Sequence, residues 1–138
     1  MLWDLLQTVP VNRRFFLRSP LAGIALSVAP KPAPAKLARE VELVRTFVAG
    51  TAYYEAEPAH PMLGLGEDLI LRRQPENPYD GKAIEVFTRS GMKLGYVPRL
   101  DNSALSALMD DGRRLAARVT SLRPDHFRDI GMAIALVE

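Results

Sequence analysis

Cysteine is absent from all 138 residues, which excludes disulfides and thiolate metal sites and leaves the redox compartment unread. Histidine occurs twice, as His60 and His126, too few for an ordinary zinc site. His60 stands alone between Ala59 and Pro61, where a solvated ring is the expectation. Long hydrophobic runs are missing as well. The apolar stretch Leu21 to Ala29 covers nine residues, well short of the ~20 that span a bilayer. Nor is there a large excess of charge. The formal net charge is +2, but residues 1–35 hold Arg13, Arg14, Arg18 and Lys31 against Asp4 alone. Residues 36–138 are left with 14 basic and 15 acidic side chains. A domain that close to neutrality projects no long-range field toward a polyanion, which argues against extended duplex binding.

Catalytic signatures are also lacking. Ser103 and Ser106 have no histidine near them in sequence. Gly64-Leu65-Gly66 lacks the further glycine and the strand-to-helix setting of a dinucleotide loop, and no P-loop lysine-serine pair occurs. Asp80 and Asp101 are two unplaced carboxylates, a weak basis for acid–base chemistry. The expectation is a binding module without enzyme activity, cofactor or metal.

What is present begins at the N-terminus. Asn12-Arg13-Arg14-Phe15-Phe16-Leu17-Arg18 looks like a twin-arginine export motif, followed by the Leu21–Ala29 run and the small residues Ala33-Pro34-Ala35. Basic, apolar and small-residue zones in that order suit a cleaved signal peptide. Residues 1–35 are therefore expected to be removed, leaving residues 36–138 as one domain in the periplasm. If they are instead a disordered basic tail, the protein stays in the cytoplasm.

The stretch from Leu69 to Pro98 organises the rest. Leu69–Arg73 reads as a strand, and Ile84, Val86 and Thr88 alternate with Glu85, Phe87 and Arg89 as a second. Ser90-Gly91 makes a hairpin turn into Leu94-Gly95-Tyr96-Val97. Between the first two strands lies Gln74-Pro75-Glu76-Asn77-Pro78-Tyr79-Asp80-Gly81. Pro78 fixes its own φ and extends Asn77, so the backbone is stiff where Tyr79 and Asp80 project. Arg72-Arg73 lead toward this loop, either as a solvated strand end or as phosphate contacts. Upstream, Val41 to Gly50 reads as a strand, with Tyr53-Tyr54 following at once, and Glu55–Gly66 as a loop. One tyrosine of the pair can cap the core while the other stands on the surface.

After Pro98 a helix is expected, with Asp101 or Asn102 as its N-cap and Leu105, Leu108 and Met109 on its apolar face. Gly112 ends it at the C′ position, and Asp110-Asp111 oppose its dipole. Leu115–Leu122 and Ile130–Val137 alternate as the last two strands, with Phe127 exposed in the polar loop between them. The fold class is mainly β: six strands around one main helix, in a small, partly open, OB-like barrel.

Gly50-Thr51-Ala52-Tyr53-Tyr54, then Asn77-Pro78-Tyr79-Asp80 with Ala83-Ile84, then Leu94-Gly95-Tyr96-Val97-Pro98-Arg99 resemble the HIRAN domain. The resemblance runs from about Val41 to the C-terminus. It implies recognition of the 3′ end of single-stranded DNA. By motif position, Tyr53 and Tyr79 would stack on bases, Asp80 would meet the 3′-hydroxyl, and Arg99 would contact phosphate. Phe127 falls near a further family aromatic. Where DNA-binding members can carry a basic residue, this chain has Ala52, which implies one phosphate contact fewer. A second reading, favoured by the export signature, is an envelope protein-interaction module that keeps the barrel without binding DNA. The discriminating observation is whether Tyr53, Tyr79, Asp80 and Arg99 line one open pocket.

Overall fold

The computed structural model of the protein describes residues 37–138. The signal-like segment 1–35 and the domain boundary at residue 36 lie outside the described residues. Six strands form one antiparallel sheet: β1 (Glu40–Phe47), β2 (Asp68–Arg73), β3 (Ile84–Thr88), β4 (Lys93–Tyr96), β5 (Arg114–Arg123) and β6 (His126–Val137). Their order across the sheet is β1-β6-β5-β2-β3-β4. The first and last strands pair from Glu40 opposite Val137 to Phe47 opposite Gly131.

The sheet curls because three strands each carry an extra residue. Leu43 on β1, Leu94 on β4 and Thr120 on β5 have no counterpart across the ladder. Such bulges bend a strand and increase its twist. The curl brings the chain just beyond β1 to the far edge of the sheet. There Ala49 N–H donates to the Tyr96 carbonyl at 2.8 Å, and Tyr96 N–H returns a bond to Ala49 at 2.9 Å. This single bridge partly closes the barrel. It requires Gly95, whose φ is +157° and whose Cβ, were there one, would collide with the Ala49 carbonyl oxygen. The core of Val48, Leu69, Ile84, Val86, Leu94, Val119, Ile130, Met132 and Ile134 fills the concave side.

The Glu55–Gly66 segment, expected as a loop, is more regular than that. A short helix α1 (Ala56–Ala59) follows a 3-10 turn at Thr51–Tyr53 and precedes another at His60–Met62. Ala56 and Ala59 pack fully into the core, which gives this segment its reason to be ordered. The main helix α2 spans Arg99–Asp110, and Pro98 rather than Asp101 or Asn102 sits at its N-cap. Asp101 instead accepts a hydrogen bond from the Thr46 hydroxyl at 2.7 Å, and Asn102 is buried inside the first turn.

The buried stripe of α2 is Asn102, Leu105 and Ser106, with Met109 packed partly against the core; Leu108, expected on that face, is half-exposed. Gly112 ends α2 with φ +80°, as its sequence position predicts. The acidic C-terminal turn is stabilised from outside, since Arg73 forms a two-pronged bond to Asp110 at 2.9 and 3.2 Å. Nothing in the structure accounts for Asp111.

Candidate functional site

The turn after Gly50 and the Asn77–Asp80 loop form two walls of an open cavity of about 250 Å³, lined by Tyr53, Tyr54, Tyr79, Asp80, Tyr96 and Arg99 among others. Gly50 takes a left-handed φ of +75°, which turns the chain sharply off the end of β1 into the Thr51–Tyr53 turn. Thr51 is buried beneath that turn and Tyr53 projects from it, 85% exposed. On the opposite wall Tyr79 is 84% exposed. Two rings so open to water contribute nothing to the core and offer their faces to a ligand.

The Asn77–Asp80 loop is held by side chain as well as by proline. The Asn77 carbonyl oxygen Oδ1 accepts from the backbone N–H groups of Tyr79 at 2.9 Å and Asp80 at 3.1 Å. This is the Asx arrangement, in which a side chain replaces a turn's backbone acceptor. Asp80 then accepts from Lys82 N–H at 2.9 Å on one oxygen and from Asn102 Nδ2 at 2.8 Å on the other. The Lys82 amide, with Asn102 second and the Arg99 and Lys82 charges further out, holds the Asp80 carboxyl below its ordinary value against the opposing effect of burial. A carboxylate has about four acceptor positions, so two protein donors leave room for a ligand hydroxyl. Arg99 donates to the Tyr79 carbonyl at 2.8 Å and lies 3.8 Å from Asp80, with 70% of its side chain exposed. An aromatic, partly polar cleft with one fixed anion and one accessible cation can bind a planar group bearing a hydroxyl and a nearby phosphate.

Four of the five residues named from the sequence, Tyr53, Tyr79, Asp80 and Arg99, thus line one cavity. Phe127 does not join them. It lies on β6 without a partner on β5, half-buried against the core with Arg128 over its ring, so its expected exposure in a polar loop is corrected. Arg72 and Arg73 are both committed elsewhere. Arg72 pairs with Glu85 at 2.7 Å and covers the Phe87 ring, and Arg73 ties Gly81 and Ala83 to Asp110.

Sequence reasoning passed over several residues behind the cavity. Glu85, which alternates with Ile84 and Val86 along β3, is itself only 3% exposed, and both Arg72 and Lys93 bond its carboxylate. Burial alone would push that carboxyl up; the hydrogen bonds from Arg72 and Lys93 outweigh it and hold Glu85 low. Lys93 sits over the rings of Tyr54 and Tyr96, 4.3 Å from each centre, and the two rings meet edge-on. Asn102 had a signal that was available: it stands three residues before buried Leu105, on the inward face of α2. Among the described residues no group of three or more His, Asp or Glu side chains forms a metal-binding cluster.

A curled antiparallel sheet with a preformed aromatic cleft at its seam defines a small β-barrel domain with a candidate ligand site. Residues 41–136 match the HIRAN domain, and the chain belongs to that family. A solved structure from Lactobacillus plantarum is similar over 74% of this chain and 99% of its own, with 31% identity and a TM-score of 0.69. The HIRAN domain of human HLTF shares the fold, with a TM-score of 0.59 and 24% identity over 71% of this chain and 78% of that one. The Fanconi-associated nuclease 1 homolog of Arabidopsis thaliana is 36% identical over 70 residues, 51% of this chain. The helicase-like transcription factor of Oryctolagus cuniculus is 34% identical over 68 residues, 49% of this chain. The matched region is only 7% and 6% of those two proteins' lengths.

Proposed function

We propose that the cavity takes the 3′-terminal nucleotide of a single-stranded nucleic acid. The observation that carries this reading is the convergence of Tyr53, Tyr79, Asp80 and Arg99 on one open cleft. Unpaired bases stack on exposed rings at roughly 1–3 kcal/mol each, without regard to sequence. The Asp80 carboxylate accepts a hydrogen bond from a free 3′-hydroxyl and repels a phosphate in the same place, so the end is recognised partly by exclusion. Arg99 holds the phosphate behind. A volume of about 250 Å³ lies near the small end of ligand pockets, which suits one nucleotide rather than a length of duplex. Ala52, exposed beside Tyr53, supplies no further cation, so the affinity is modest.

The test is fluorescence anisotropy with a short, 5′-labelled oligonucleotide carrying either a free or a phosphorylated 3′ end. The free end is expected to bind about tenfold more tightly, a difference of ~1.4 kcal/mol. Asp80→Asn narrows that gap by removing the repulsion, whereas Tyr79→Ala weakens matched and scrambled sequences alike. The salt slope is expected to be shallow, about −0.7 per phosphate neutralised. Equal binding of free and blocked ends, or no binding at high micromolar concentration, overturns this reading in favour of a protein-interaction role.

A further inference from the structure

A side-chain amide can point either way, and only one orientation of Asn77 builds the loop. If Asn77 were flipped, its Nδ2 donors would face the N–H donors of Tyr79 and Asp80, and the turn would lose both bonds. What selects the productive orientation is a directional chain of hydrogen bonds that reaches the cavity lining at Tyr96 and Asn77 from Lys93, Glu85 and Gln74 behind it. Lys93 Nζ donates to the Tyr96 hydroxyl at 2.8 Å and to Glu85 at 3.0 Å. Tyr96 donates to Gln74 Oε1 at 2.6 Å, and Asn77 Nδ2 donates to the same oxygen at 2.9 Å.

The donor–acceptor sense of the links is set by the ammonium at one end and by the short 2.6 Å bond from Tyr96 to Gln74. An ammonium can only donate, so the Tyr96 oxygen is an acceptor toward Lys93; its one hydrogen goes to Gln74 Oε1 at 2.6 Å, and Asn77 Nδ2 is a further, longer donor to the same hydroxyl at 3.4 Å. Gln74 must then present its oxygen. Facing that oxygen, Asn77 must present its NH2, which turns Oδ1 toward Tyr79 and Asp80. The ammonium is secure in this role. Burial works against it, but the Tyr96 hydroxyl and the Glu85 carboxylate more than offset that and hold Lys93 above its ordinary value.

We infer that Lys93 and Gln74 are positioning residues, which through Tyr96 and the orientation of the Asn77 amide fix how Tyr79 and Asp80 are presented to ligand. The consequence for binding rests on the functional reading above, whereas the effect on the loop does not.

Gln74 allows the sense of the chain to be changed at one position. Gln74→Glu keeps an acceptor facing both neighbours. Gln74→Lys substitutes a donor and reverses the demand on Asn77. Amide hydrogen exchange is measured by NMR on the unliganded full chain, with Gly91, bonded to the Thr88 carbonyl at 3.0 Å in the β3–β4 hairpin, as the internal control. Protection of the Tyr79 and Asp80 amides is expected to survive in Gln74→Glu and to fall more than about tenfold in Gln74→Lys, with Gly91 unchanged in both. If Gln74→Lys does not fold, Tyr96→Phe cuts the chain one link earlier and lowers the same two protections while leaving the Lys93–Glu85 pair intact.

Unchanged exchange at Tyr79 and Asp80 in the reversing variant overturns the inference, as does equal loss in Gln74→Glu. The same variants are titrated with the free-ended oligonucleotide. Binding kept by Gln74→Glu and lost by Gln74→Lys supports the inference, and undiminished binding by Gln74→Lys overturns its consequence for the site. The expected exchange pattern with no oligonucleotide bound by any variant, wild type included, supports the positioning chain while rejecting the proposed ligand.

Discussion

Replacing Gly95 with alanine tests the seam on which the cavity depends. A Cβ there would meet the Ala49 carbonyl oxygen within hard-contact distance and lie 3.0 Å from Val48 Cγ1. Backbone cannot swing aside as a flexible side chain can, so the two strands must part. Parting them breaks the reciprocal Ala49–Tyr96 bonds of 2.8 and 2.9 Å. Each contributes about 0.5–1.5 kcal/mol net. Holding a non-glycine residue near φ +157° adds strain of order 1–3 kcal/mol. The expected loss is therefore about 2–6 kcal/mol, a large share of the ~5–15 kcal/mol typical of a domain. Urea denaturation of wild type and Gly95→Ala, followed by far-ultraviolet circular dichroism, measures it. Because Ala49, Gly50, Tyr96 and Val97 also line the cavity, ligand binding is expected to weaken more than stability alone requires. An unchanged denaturation midpoint would refute the claim that the barrel closes through this bridge.

Three further outcomes are expected. Leu105→Ala costs about 2–5 kcal/mol, since Leu105 is 3% exposed, while Leu108→Ala costs clearly less; equal losses by denaturant titration would mean that α2 docks on a different face. Glu85→Gln destabilises by about 1–3 kcal/mol at neutral pH by weakening two charged hydrogen bonds. The folded Glu85 carboxyl lies below its ordinary 4.5, so its stabilisation is complete above that pH and fades as pH falls through the lower folded value. Thermal melts across that acid range should accordingly be steeper in pH for wild type than for Glu85→Gln. Export by a twin-arginine route, which we propose from Arg13 and Arg14, gives a mature chain beginning near Lys36 in the periplasm; N-terminal sequencing that finds Met1 on the native protein rejects it.

Much of the fold was legible because its signals are local. Alternation marked Ile84, Val86 and Thr88, Ser90-Gly91 marked the hairpin, and Gly112 marked the end of α2. Tyr79 and Asp80 stood out because proline and the Asn-Pro-Tyr-Asp pattern stiffen the loop from within. Residues whose roles depend on distant partners were hidden. Glu85 alternates as a solvent-facing residue should, and only Arg72 from β2 and Lys93 from β4 make its burial tolerable. Leu108 fits a helical apolar face equally well in sequence, but which side of α2 meets the sheet is decided by packing. Phe127 looked solvent-facing because its neighbours are polar, although β6 begins earlier than that composition suggests.

The pairing of β1 with β6 has a consequence for the order in which the molecule can assemble. Glu40 faces Val137, so the partner of the first strand is made almost a hundred residues later. At ~5–20 residues per second of synthesis, β1 waits roughly 5–20 s without its mate. Through that interval the Val48–Ile130 bond and the rest of the β1–β6 ladder cannot form, although β2, β3 and β4 can already pair among themselves. Tyr53 and Tyr79 therefore exist on the nascent chain long before there is a settled cleft between them. The cavity's lining residues, Ala49 to Arg99, are all made before β6, but the bonds from Val48 to Ile130 and from Thr51 to Arg128 that anchor its Gly50 side wait for the last strand.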